Sequence, residues 1–190
     1  KSSASVKDGK YILENKNEKE WFWVSKLIGM DLRQDFEIET VLTKTNGVAM
    51  GDFIGIKWNA TEKETHGFRI TYDGWWSYLK WIKGKKQGQE ILRWKQDNAI
   101  KQTFNMPNVL LVKKSGDRIQ FFINNKSVGK AKFNGETATY LQILFKGKAT
   151  IEVDRIRVKY TYKKTVFGGW LGVQMANADS EPAKQFGIKQ

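Results

Sequence analysis

The chain has no cysteine. A disulfide scaffold, a cysteine-bound zinc and a thiol nucleophile are all excluded. It has one histidine, His66, so multi-histidine metal sites are excluded and any serine triad would hang on that one side chain. Within the polar stretch Thr61 to Gly67, His66 reads as an exposed loop residue. Proline is scarce, with only Pro107 and Pro182 in 190 residues. No apolar run approaches the roughly 18 residues of a helical membrane span. Gly-x-Ser-x-Gly elbows, phosphate loops and dinucleotide fingerprints are missing. The chain starts at Lys1 rather than Met, and no signal-peptide core follows, which fits a processed or shortened chain.

Aromatic residues and positive charge are abundant. Apolar residues make up 40% and aromatics 13%, including eight tryptophans, a composition that can build a core rather than stay disordered. Lys plus Arg is 33 against 20 acidic residues, a formal net charge of +13. The basic residues fall in separate groups, Lys83 to Lys86, Lys126 to Lys132 and Arg155 to Lys164, which reads as a solvated lysine-rich surface. An anionic polymer such as an acidic glycan is an alternative partner for it. No arginine-rich reader or nucleic-acid module is present, so specific nucleic-acid binding is not expected.

Alternation of apolar and polar residues dominates the pattern. In Asp35 to Leu42, Phe36, Ile38 and Thr40 share one face, and Asp35, Glu37 and Glu39 the other. Similar runs recur at 53–58, 68–72, 75–82, 90–94, 109–113, 118–123, 140–145 and 150–162. Turn signals separate most of them: Asn46-Gly47, Asp73-Gly74, Lys83-Gly84, Ser115-Gly116-Asp117, Asn124-Asn125 and Asn134-Gly135. Many short strands at hairpin spacing predict an all-β sandwich or barrel. Residues 179–187 carry helix start and stop signals, and the chain changes character near residue 164.

Four segments resemble bacterial concanavalin A-like lectin/glucanase modules. They are Asp35-Phe36-Glu37-Ile38-Glu39, Gly51 to Ile56, Phe68 to Gly74 with the aromatic strand after it, and Asn108 to Asn125 closing at Asp154 to Val158. The resemblance implies a two-sheet antiparallel jelly-roll sandwich over residues 8–163. It also makes calcium a possible cofactor, although no acidic loop has a diagnostic ligand spacing and the metal ligands are unknown. Gly169 to Met175, followed by Glu181 to Ile188, resembles the opening of PDZ domains in high-temperature-requirement-type serine proteases. Residues 164–190 would then be a linker and a truncated PDZ-like start, a short partial α/β tail. A peptide partner is expected only with the complete PDZ domain.

Two constellations are candidate sites. The first is acidic. Asp35, Glu37 and Glu39 share a strand face, and retaining glycosidases need two carboxylates about 5–5.5 Å apart. Family-16 glycoside hydrolases of the same superfamily carry Glu-x-Asp-x-Glu, whereas this chain has Asp-x-Glu-x-Glu. The alternative is a solvated face balancing nearby lysines. The second is aromatic. Alternation places Trp76, Tyr78 and Ile82 on one face of the 75–82 strand and Trp75, Leu79 and Trp81 on the other. One face is core, and the other is either covered or an exposed platform. Flat rings suit the C–H faces of sugars, and polar side chains suit their hydroxyls. The expected ligand-binding set is Trp75, Trp81, Tyr72, Trp58, Trp94, Glu37 and Glu39. The expected function is non-catalytic glycan binding within an exported bacterial multidomain protein, periplasmic or on the cell surface. The alternatives are a glycoside hydrolase using Asp35, Glu37 and Glu39, and a structural spacer beside a PDZ domain.

Overall fold

The structure, a computed structural model, describes residues 2–47, 51–59, 64–85, 88–135 and 137–160. Thirteen strands form along them. They are β1 (Ser3–Lys7), β2 (Lys10–Asn15), β3 (Trp21–Asp31), β4 (Phe36–Gly47), β5 (Phe53–Asn59), β6 (Glu64–Thr71), β7 (Trp75–Ile82), β8 (Gln89–Gln96), β9 (Asn108–Ser115), β10 (Arg118–Ile123), β11 (Lys126–Lys132), β12 (Thr137–Lys146) and β13 (Ala149–Tyr160). All observed pairings are antiparallel. One sheet has seven strands in the order β1-β2-β13-β4-β9-β10-β11, and the other has six in the order β3-β12-β5-β6-β7-β8. The fold is the expected all-β, two-sheet jelly-roll sandwich. The expected helix signal and the PDZ-like opening lie outside the described residues.

Turn chemistry explains several connections. Asn124 and Asn125 have φ of 49° and 69°, the left-handed pair that a tight two-residue hairpin needs between β10 and β11. Asp8 and Gly9, at 50° and 74°, do the same for β1 and β2. Asn46-Gly47 is no turn. Both residues extend β4 and pair with Thr150 and Ala149 of β13.

The core lies between the sheets. The seven-stranded sheet contributes Leu13, Phe36, Ile38, Leu42, Leu110, Val112, Ile119, Phe121, Ile151 and Val153. The six-stranded sheet contributes Ile54, Ile56, Trp58, Phe68, Ile70, Trp76, Tyr78, Leu141, Ile143 and Phe145. The alternation that buries these residues turns their neighbours outward. On the six-stranded sheet the outward set includes Trp21, Phe53, Lys57, Arg69, Trp75, Ser77 and Trp81.

His66 departs from its expected loop position. It lies on β6 and is almost completely buried, because it shares a face with Phe68 and Ile70. Its ring stacks on Trp58 (5.7 Å) and Tyr78 (5.9 Å). Nδ1 lies 2.8 Å from the Tyr78 hydroxyl, and Nε2 lies 3.2 Å from Glu64 Oε1. A neutral ring protonated on Nε2 satisfies both partners. Burial pushes its pKa down to about 4, against the opposing pull of Glu64.

Candidate functional site: an aromatic and cationic cleft

The outer face of the six-stranded sheet holds a cleft of about 590 Å³ lined by Trp21, Arg69, Leu79, Trp81, Gly88, Glu90 and Arg93, within the range of ligand-binding clefts. Arg69 is its anchor. Strand β6 sends Phe68 and Ile70 inward, so Arg69 between them must point out. Its guanidinium carbon lies 4.9 Å from the ring centre of Phe53 and 4.4 Å from that of Trp94. Nε donates to Ser77 Oγ at 2.8 Å, and one terminal nitrogen stands 3.6 Å from Glu90 Oε1. Two rings, a hydroxyl and a carboxylate therefore hold one planar cation in a fixed orientation.

Trp81 has a built seat. A Cβ at position 67 would lie 2.7 Å from its Cζ3, and one at position 88 would lie 2.9 Å from its Nε1. Glycine at both positions lets the indole settle on the sheet. Trp21 packs edge-on to Phe53 at 4.8 Å and to Trp81 at 6.5 Å. The Lys57 ammonium stands 5.2 Å from the Trp81 ring centre, and burial lowers its pKa. Trp75 is on the same face at the start of β7 and 39% exposed. Six residues of strand separate it from Trp81, about 20 Å.

Trp75, Trp81 and Trp94 thus lie on one face, which the alternation predicts for Trp75 and Trp81. Tyr72 and Trp58, also expected at the ligand surface, are core residues with no exposed area. Trp58 shares the inward register of Ile54 and Ile56 and stacks on Tyr78 at 6.2 Å. The Tyr72 hydroxyl accepts the Lys44 backbone N–H at 2.7 Å. Neither ring can meet a sugar. Trp21, Phe53, Arg69, Ser77, Glu90 and Arg93 were not among the expected site residues. Two of them were legible as outward partners of the predicted strands: Arg69 sits between Phe68 and Ile70, and Ser77 lies two residues from Trp75.

Asp35, Glu37 and Glu39 lie elsewhere, on the outer face of the seven-stranded sheet, and so cannot rim the cleft. Each is matched to cations. Glu37 meets Lys113 at 2.8 Å and Lys159 at 3.9 Å. Glu39 meets Arg155 at 3.0 Å and Arg157 at 2.9 Å. Asp35 accepts the Gly116 backbone N–H at 2.8 Å and stands 3.6 Å from the Lys114 ammonium. The Gly116 hydrogen bond holds the Asp35 pKa below the usual carboxylate range, and the Lys113 hydrogen bond does the same for Glu37. A glycosidase acid requires the opposite shift. Among the described residues, no group of three or more acidic or histidine side chains is gathered to hold a metal ion. No helix of the described residues is long and apolar enough to cross a membrane.

No protein-family model matches the chain, and no curated protein sequence matches it. Solved structures do. The carbohydrate-binding module CBM66 from Bacillus subtilis superposes with a TM-score of 0.59 at 13% identity, covering 84% of this chain and 92% of the module. The fold is that of the lectin and glucanase jelly rolls. The endo-β-1,3-glucanase from Pyrococcus furiosus matches with a TM-score of 0.61 at 9% identity, covering 84% of this chain and 78% of the enzyme. The galectin LEC-6 of Caenorhabditis elegans matches with a TM-score of 0.54 at 13% identity, covering 82% of this chain and 99% of the galectin. At these identities the likeness is one of architecture. The concanavalin A-like reading of the main body agrees with it, and none of these matches supports the PDZ reading of the tail.

Proposed function

We propose that the chain is a non-catalytic carbohydrate-binding module that takes polysaccharide in the cleft on its six-stranded sheet. The observation that carries this reading is the site built around Arg69. Trp21 and Trp81 line a cleft in which Glu90 and the Arg69 guanidinium, held from beneath by buried Ser77, supply hydrogen-bonding groups beside the rings. Rings would cover the apolar faces of sugars, and the polar groups would meet their hydroxyls. The row from Trp75 to Trp81, about 20 Å along the strand, suits a polymer better than a single sugar. That several structural neighbours are carbohydrate-binding or glycan-processing proteins supports the same reading. An exported setting, at the periplasm or cell surface of a bacterium, suits a polymer too large to cross a membrane.

Affinity electrophoresis through gels carrying neutral and acidic polysaccharides tests the proposal. Retardation by at least one polymer is expected, and Trp81→Ala and Trp75→Ala should weaken it while near-ultraviolet circular dichroism shows an intact fold. Unchanged retardation in both folded variants would remove the cleft from the function.

A further inference from the structure

The charges of the cleft do not balance. Arg69 is matched to Glu90, 3.6 Å away. Arg93 lines the same cleft, and Lys57 stands over the Trp81 ring. Among the described residues, neither Arg93 nor Lys57 forms an ion pair with a carboxylate. This is unlike the opposite face of the sandwich, where Glu37 and Glu39 each meet two cations. The Lys57 ammonium is also partly desolvated, with an aromatic ring as its neighbour. A half-buried cation in that condition gains more from an incoming anion than a fully hydrated surface lysine does. Arg93 offers a planar donor fork suited to a carboxylate or sulfate.

Resting on the glycan-binding reading, we infer that the cleft selects acidic polysaccharide. The sugar ring stacks against Trp81 and Trp21, and carboxylates or sulfates spaced along the polymer pair separately with Arg93 on β8 and with Lys57 three strands away on β5. Selectivity follows because a neutral polymer leaves these cations without a counter-charge in a cleft it has partly desolvated. Charge complementarity also speeds capture and makes part of the affinity dependent on salt, whereas the stacking part persists.

The test compares two matched pairs by isothermal titration calorimetry: polygalacturonate with its methyl ester, and dextran sulfate with dextran. In each pair the backbone is kept and the charge removed. At least one acidic member should bind about tenfold or more tighter than its neutral counterpart, a difference of about 1.4 kcal/mol. Polygalacturonate alone would point to a carboxylate ligand, and dextran sulfate alone to a sulfate. The double variant Arg93→Gln, Lys57→Gln should lower acidic binding about tenfold and bring it close to that of the neutral partner. Equal binding within both pairs would overturn the acidic selectivity and leave the glycan reading standing. Acidic binding unchanged in the folded double variant would assign the selectivity to the general positive surface and overturn the inference. So would single-stranded DNA binding as tightly as the acidic polysaccharide and being lost equally in salt. Binding of no polymer, charged or neutral, would take down the glycan reading itself.

Discussion

The two sheets present contrasting outer faces. On the seven-stranded sheet, Asp35 just before β4 and Glu37 and Glu39 on it face outward, and neighbouring strands supply Lys113, Lys114, Lys159, Arg155 and Arg157 to meet them. On the six-stranded sheet, the outward positions of β5, β6 and β7 carry Phe53, Lys57, Arg69, Trp75 and Trp81, and Glu90 pairs with Arg69. Both faces arise from the same period-2 pattern. They differ in satisfaction. Charges already paired on an open surface have little to gain from a ligand, whereas exposed rings and unmatched cations do.

Four tests sharpen that contrast or break it, in descending order of effect. Trp75 and Trp76 are adjacent in sequence and face opposite sides of one sheet. Trp76→Ala should cost about 3–5 kcal/mol because it empties a packed core site. Trp75→Ala should stay within about 1 kcal/mol, since that side chain is exposed. Urea unfolding followed by fluorescence measures both, and equal losses would mean that Trp75 is structural.

The second concerns the interior common to both faces. His66 is depressed to about 4 in the folded chain, against about 6.5 when unfolded. As pH falls below 6.5 the unfolded chain takes up the proton and the folded chain does not, so stability drops. The stability present above pH 6.5 should be lost between 6.5 and about 4, on the order of 3 kcal/mol. His66→Phe should flatten that part of the stability profile, and an unchanged profile would show that other groups govern it.

The third is Arg69→Ala. Glycan affinity should fall about 30-fold, near 2 kcal/mol, because the variant removes the fixed cation and leaves Glu90 unmatched in the cleft. Calorimetry on the folded variant decides, and unchanged affinity would move the site off this face.

The smallest effect is expected for Glu39→Gln on the paired face. Stability should shift by less than about 1 kcal/mol, and glycan affinity should not change. A loss of binding there would reverse the comparison.

The strands of the sandwich were largely legible because each carries its own evidence. Apolar residues two apart marked β4, β5, β7, β9 and β10, and Asn124-Asn125 marked a hairpin by its tolerance of positive φ. Asp8-Gly9 was equally readable for the β1–β2 hairpin. Strand β11, Lys126–Lys132, carries too few apolar residues to show itself by pattern and is recognised only by pairing with β10. His66 was missed because the polar residues before it suggest a loop, although its spacing to Phe68 and Ile70 already places it on the inner face. Trp58 and Tyr72 have the chemistry of a sugar platform, although their two-residue spacing to Ile54 and Ile56, and to Phe68 and Ile70, already aligns them with the inward residues. Burial is decided by which face of each sheet meets the other.

The sequence by itself determined the class of fold, most of its strands, and the exclusion of thiol and multi-histidine metal chemistry, because those depend on composition and on neighbours two residues apart. Only the tertiary structure decided which tryptophans are core and which are surface. It alone brought Phe53, Arg69, Ser77, Glu90 and Trp94 together from four strands, and it alone separated that cluster from the acidic run at 35–39. The physical reason is that strand pairing and sheet stacking join residues far apart in the chain. A side chain's partners, and so its charge balance and exposure, are set across strands rather than along them.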